Sequence, residues 1–131
     1  KAEAGVIALF LQKMMNNLSP TIYGDGEQTR DFIYIDDVVS GHFCATEKPF
    51  NQTYNLSSAI EISVNQIYEK LSQKLNKKLV PQYTEPPFEE LARSCLDNQD
   101  FVRDTGWSLE SGFDTGLDRT IAWNQEYYKS R

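Results

Sequence analysis

Apolar residues crowd the stretch after Gly5: Val6, Ile7, Leu9, Phe10, Leu11, Met14, Met15 and Leu18. They run almost all the way round a helix over 5–18, which is the pattern of burial on more than one side. Pro20 resets the backbone. Thr21-Ile22-Tyr23 then reads as a short strand, and Asp25-Gly26 as a turn. Phe32-Ile33-Tyr34-Ile35 is rich in β formers and predicts a second strand. Asp36 is placed to cap a helix running to about Thr46, with Val38, Val39, Phe43 and Cys44 on its apolar side. Pro49 ends that unit, and Thr53-Tyr54-Asn55-Leu56 is a further strand candidate.

The clearest helix begins at Ser63. With Gln66 three residues on, Ser63 forms a capping box, and Val64, Ile67, Tyr68, Leu71 and Leu75 follow at helical spacing. Leu79–Tyr83 predicts a short strand and Pro86-Pro87 a break. Asp97 caps a short helix that stops at Gly106, suited to the left-handed position after a helix, with Trp107 as its apolar contact. Ser108 starts the last helix, where Leu109, Phe113, Leu117 and Ile121 form one stripe. Gly112 and Gly116 would each cost about 1 kcal/mol there, which implies close packing. The resulting class is α/β: a small, helix-rich α+β lobe with short strands.

Composition narrows the function. A chain of 131 residues, 40% hydrophobic and 24% charged, has the size and core of one domain. Its apolar runs fall short of the roughly 20 residues of a membrane span, so no membrane partner is expected. Nineteen acidic against thirteen basic residues leave a net charge of -6. That is a poor match to nucleic acid, whose backbone demands clustered cations. The cluster Lys74, Lys77 and Lys78 reads as a solvated helix end. Cys44 and Cys95 have no metal-like spacing and fit free thiols in a reducing cytoplasm. Lys1-Ala2-Glu3 carries no leader pattern.

The catalytic inventory is thin. His42 lies mid-helix, away from any triad-like spacing, and reads as a satisfied helical histidine. Asp36-Asp37 could be an acid or metal pair, but adjacent helical residues point about 100° apart, so a cap plus a first-turn acid is the simpler reading. Gly24-Asp25-Gly26 lacks the strand-to-helix context of a phosphate loop and reads as a turn. No catalytic and no metal-binding residue is assigned.

The run Pro20 to Val38, PTIYGDGEQTRDFIYIDDV, changes the picture. It resembles the signature in the C-terminal half of extended short-chain dehydrogenases, the NAD-dependent nucleotide-sugar epimerases and dehydratases typified by UDP-glucose 4-epimerase. Gly24, Asp25, Gly26, Gln28, Arg30, Asp31, Phe32, Tyr34, Asp37 and Val38 carry the match. GVIALFLQKM upstream, YNLSS at 54–58, Gly106-Trp107 and the final RTIAW extend it over the chain. In that family an N-terminal Rossmann domain holds NAD(P) on a Gly-rich turn, and a Tyr-x-x-x-Lys pair moves the proton. Neither GxxGxxG nor Tyr-x-x-x-Lys occurs here. The resemblance therefore implies that 1–131 is the C-terminal nucleotide-sugar-binding portion of a longer enzyme. It should be inactive alone, with NAD held by the absent domain and that domain docking on the apolar N-terminal helix.

The same resemblance assigns the substrate contacts. Arg30 would meet the diphosphate, for which a planar guanidinium is a natural bidentate partner; the alternative is an ion pair with Glu27 or Asp31. Thr21 and Tyr23 would offer main-chain contacts to the base, and Ile60 an apolar wall near the nucleoside. Family members carry a second arginine after the VPQY-type strand, in an R-x-G-D stretch. Here the segment is Pro87-Phe88-Glu89-Glu90, with Pro87 at the arginine position and two acids where an anion should approach. Arg93 is near enough in sequence to substitute. Ser94 stands where the family often has an aromatic. These departures leave a second reading open: a non-catalytic binding or assembly module whose substrate site has decayed.

Overall fold

The computed structural model describes residues 5–47, 51–87, 89 and 91–129; the helix stop assigned to Pro49 and the positions Phe88 and Glu90 lie outside the described residues. Along the chain run α1 (Val6–Met15), β1 (Thr21–Tyr23), β2 (Thr29–Asp31), α2 (Ile35–Thr46) and β3 (Glu61–Ser63). They are followed by α3 (Val64–Lys74), β4 (Gln82–Thr84), β5 (Arg93–Ser94), α4 (Gln99–Thr105) and α5 (Gly112–Lys129). Backbone proximity divides the chain into two units, Lys1–Thr29 with Ile62–Arg93 and Arg30–Glu61 with Ser94–Arg131. β1 pairs with β4; β2, β3 and β5 follow the order β3-β2-β5, and the unit boundaries fall within these three strands.

In the first unit α1 packs on α3, with Phe10, Leu11, Met14, Ile22, Val64, Ile67 and Leu71 as the core. The apolar surplus of α1 is thus used in part at home. The helix stops at Met15, short of 18, because Asn17 takes a left-handed φ of 58°. Lys77 Nζ then binds the terminal carbonyls of Met14 (2.8 Å) and Met15 (3.1 Å), a cation at the negative end of a helix. α3 has its capping box: Ser63 Oγ accepts from Gln66 N (3.1 Å), and Gln66 Oε1 from Ser63 N (2.8 Å). β1 runs parallel to β4 with Ile22 opposite Tyr83. β4 lies at 82–84 rather than 79–83, since Tyr68 Oη donates to the Leu79 carbonyl and holds that residue outside the ladder.

The second unit gathers Phe101, Trp107, Leu117 and Ile121. Phe101 meets Tyr54 and Trp107 at centroid distances of 5.6 and 5.7 Å. Several expectations are corrected here. Phe32-Ile33-Tyr34 is not a strand: β2 ends at Asp31, and the Tyr34 carbonyl accepts from Asp37 N and Val38 N, so the helix starts at Ile35. Phe32 lies edge-on to Phe113 at 5.8 Å. Asp36 does not cap; it pairs with Arg119 at 2.9 Å. Residues 53–56 make no ladder, because side-chain bonds from Asn55 to the Asp97 carbonyl and from Asn98 to the Ser57 carbonyl hold this segment instead. The cap of α4 is Asn98, while Asp97 Oδ1 accepts from Gln99 N at 2.9 Å. Gly106 is left-handed (φ 75°) and Trp107 is buried, as expected. α5 starts at Gly112 rather than Ser108, after a main-chain segment tied to Asp37.

Candidate functional site

Thr21 and Tyr23 lie on β1 in the first unit. Gln82 N donates to the Pro20 carbonyl and Gly24 N to the Thr84 carbonyl, each at 2.9 Å. Alternate residues of a parallel strand bond to the same neighbour. The main-chain groups of Thr21 and Tyr23 therefore face the other edge of β1, away from β4. On that edge the Tyr23 carbonyl accepts from Gln28 Nε2 (3.0 Å). The Thr21 hydroxyl accepts from Lys13 Nζ (2.6 Å), and the Tyr23 side chain is exposed. Arg93 begins β5 in this unit and is exposed. Pro87 and Glu89 are exposed too.

Arg30 and Ile60 belong to the second unit. Arg30 is the half-buried middle residue of β2, and Ile60 stands 47% exposed after a tight turn. Asp31 binds that turn to the strand. Its Oδ1 accepts from Ser58 N (3.0 Å) and Ser58 Oγ (2.6 Å), its Oδ2 from Ala59 N (3.1 Å). Leu96 N and the Cys95 thiol reach the same Oδ2 at 3.4 and 3.5 Å. Burial pushes this carboxyl up, but the hydrogen bonds from Ser58, Leu96 and Cys95 outweigh it and leave its pKa below the ordinary 3.8. Asp104 is held low by Arg103 and by Tyr54, a bond that fastens the Gln52–Tyr54 segment to α4.

Other chemistry-bearing residues are spent on the fold. His42 Nδ1 lies 2.7 Å from the Val38 carbonyl, one helical turn back. Asp37 is buried and takes the N–H groups of Glu110 and Ser111. The turn at Gly24-Asp25-Gly26 is filled from behind: a Cβ on Gly26 would run into the Asn65 amide, which itself donates to the Asp25 carbonyl at 2.9 Å.

The family model described as NAD dependent epimerase/dehydratase family matches residues 1–57. The crystal structure of UDP-glucose 4-epimerase with UDP-glucose from Thermotoga maritima superposes at a TM-score of 0.92 and 31% identity, over 97% of this chain and 41% of that one. This chain belongs to the NAD-dependent epimerase/dehydratase family.

A Methanocaldococcus jannaschii relative is 35% identical over 123 residues, 94% of this chain and 40% of its own. The dTDP-4-dehydro-6-deoxyglucose reductase of Escherichia coli is 32% identical over 118 residues, 89% of this chain and 37% of its own. The chain thus spans about two fifths of the length of the relatives it matches. The family is NAD-dependent. The glycine segment present here does not fit a dinucleotide: it connects two strands rather than a strand and a helix, and Asn65 fills the space behind Gly26. Among the candidate residues the structure sets Thr21 and Tyr23 on one strand edge, and links the strand of Arg30 to the turn before Ile60 through Asp31. The sequence placed Asp31 in the motif around Arg30 and offered it as an ion-pair alternative, without a structural partner in the 58–60 turn. Its signal was the invitation of an acid beside Arg30 together with two serines in YNLSS, but nothing in the chain order joins residues 31 and 58.

Proposed function

We propose that this chain is the substrate-recognition portion of an NAD(P)-dependent nucleotide-sugar epimerase or dehydratase, binding the nucleotide diphosphate of its substrate. One observation carries the reading: Asp31 fastens the turn that presents the exposed Ile60 to the strand that carries Arg30. A guanidinium suits a diphosphate and an exposed aliphatic suits a nucleoside face. On the other unit, the outward main-chain edge at Thr21 and Tyr23 offers donors and acceptors for a base. Arg93 stands as the second cation. The Thermotoga maritima epimerase, with its UDP-glucose, supports the substrate class.

The remaining three fifths of the relatives' length is the reading's Rossmann domain, which holds NAD and the catalytic groups. Its docking faces in this chain are the Ala8 and Leu9 side of α1 and the α2 row Ile35, Val39 and Phe43, which are exposed here at helical spacing. The thiols of Cys44 and Cys95, neither of them in a disulfide, favour the reducing cytoplasm as its location. The chain alone should not turn over UDP-glucose in the presence of NAD. Calorimetric titration of the full-length protein with UDP- and TDP-glucose tests the reading: binding that vanishes in Arg30→Ala supports it, and no binding by the wild type overturns it. A decayed binding module is the second reading, favoured by the exposed Glu89 and by Pro87 in place of an arginine; it predicts the latter outcome.

A further inference from the structure

We propose that Asp31 is a positioning residue for nucleotide binding, acting through the turn 58–60; this rests on the nucleotide-sugar reading above. Three observations carry it. First, the donors are concentrated: two consecutive main-chain N–H groups, Ser58 and Ala59, and the Ser58 hydroxyl all end on one carboxylate. Charge-assisted bonds of this kind are about twice as strong as neutral ones. Second, Ala59 takes a left-handed φ of 56°, a conformation a non-glycine residue holds only when its surroundings impose it. Third, the chain of bonds continues outward: Ser58 Oγ, held by Asp31, accepts from Ile60 N at 3.2 Å. The direction of the exposed Ile60 side chain is therefore set from β2, one residue from Arg30. A further tie from Leu96 N fastens the segment after β5 to the same oxygen.

Asp31 touches no ligand in this scheme. Arg30 would supply the charge for the diphosphate, and Asp31 would supply the geometry of the nucleoside wall. If the turn relaxes, Ala59 leaves its left-handed conformation and Ile60 loses its fixed orientation, so nucleoside affinity falls although the guanidinium remains. A residue acting only on global stability would not act through Ile60 in particular.

The test is a double-mutant cycle on the full-length protein, titrated with UDP by calorimetry, with thermal melting as a fold control. Asp31→Asn and Ile60→Ala should each weaken UDP binding about tenfold. The double variant should bind no worse than about tenfold either, because both changes remove the same contact. Additive losses of about a hundredfold, or unchanged binding in Asp31→Asn, overturn the positioning role. If Asp31→Asn fails to fold, Ser58→Ala carries the same cycle with a smaller loss, about threefold, that again must not add to Ile60→Ala. Wild-type protein that binds neither UDP nor TDP would sink the nucleotide-sugar reading itself, an outcome distinct from binding that ignores Asp31.

Discussion

Asp37, the third residue of α2, accepts the main-chain N–H of Ser111 at 3.2 Å, just before α5 begins, and that of Glu110 at 2.8 Å. The carboxylate is 2% exposed and Ser111 is buried, so water cannot replace these bonds. A capping acid is here delivered from another helix, 74 residues away in the chain. Asp37→Ala would leave two donors unpaired and should lower unfolding free energy by about 2–4 kcal/mol. Asp37→Asn keeps one acceptor and should lose less. Urea denaturation of the chain measures both, and an unchanged midpoint in Asp37→Ala would refute the role.

Gly116 shows the opposite balance. Alanine would favour the helix by about 1 kcal/mol, yet its Cβ would lie 2.9 Å from Tyr34 Cβ and 3.1 Å from Tyr34 Cγ. The Tyr34 ring is itself covered by Arg119 at 5.6 Å, so it has little freedom to retreat. Overpacking of this kind costs about 1–3 kcal/mol, and Gly116→Ala should be destabilising on balance. In a Tyr34→Gly background, which removes both of these Tyr34 atoms, the same substitution should become stabilising. Thermal melts of the four variants would show that sign change, and its absence would exclude the clash.

Much of this packing was legible one element at a time. The Ser63–Gln66 capping box, the stop at Gly106 and the tight approach at Gly116 follow from local chemistry and stand where the sequence placed them. Gly112, expected to be packed as closely, instead opens α5 with a φ of 57° and has open space where a Cβ would lie. The failures share a cause. Phe32-Ile33-Tyr34 has β-forming side chains, but its backbone is committed to starting α2 and its rings to packing against α5. Thr53–Leu56 has strand composition but lacks a paired neighbour, and is held by Asn55, Ser57 and Asn98. For the candidate site, the motif around Arg30 identified the strand. The partner turn at 58–60 was invisible because Asp31 reaches it across 27 residues.

Acid should loosen that turn. The hydrogen bonds from Ser58 and Leu96 keep the folded pKa of Asp31 below 3.8, despite the opposing effect of burial. A depressed folded value means that the stabilisation is complete above the unfolded pKa and is lost as pH falls through the folded one. Wild type should therefore exceed Asp31→Asn in stability at about pH 6, and the gap should narrow and close as pH falls below 3.8. Paired denaturation curves across that range give the answer. A gap that stays constant with pH would mean the carboxylate's charge contributes nothing.

The α2 surface makes the last prediction. Ile35, Val39 and Phe43 recur every four residues on one face, and Phe43 is 68% exposed. Fully burying a side chain of this size contributes about 1.5–3 kcal/mol, so a face left open in the isolated chain has much to gain from a partner. Val39→Lys with Phe43→Lys should leave the melting temperature of the isolated chain within about 2 °C, because neither side chain is part of its core. The same pair should reduce binding of an apolar dye and any concentration-dependent association. In the full-length protein the outcome should reverse: if the Rossmann domain covers this face, the lysines would have to be buried there, and the melting temperature should fall by several degrees. Equal tolerance in both forms would place the domain contact elsewhere and leave the Leu9 side of α1 as the docking face.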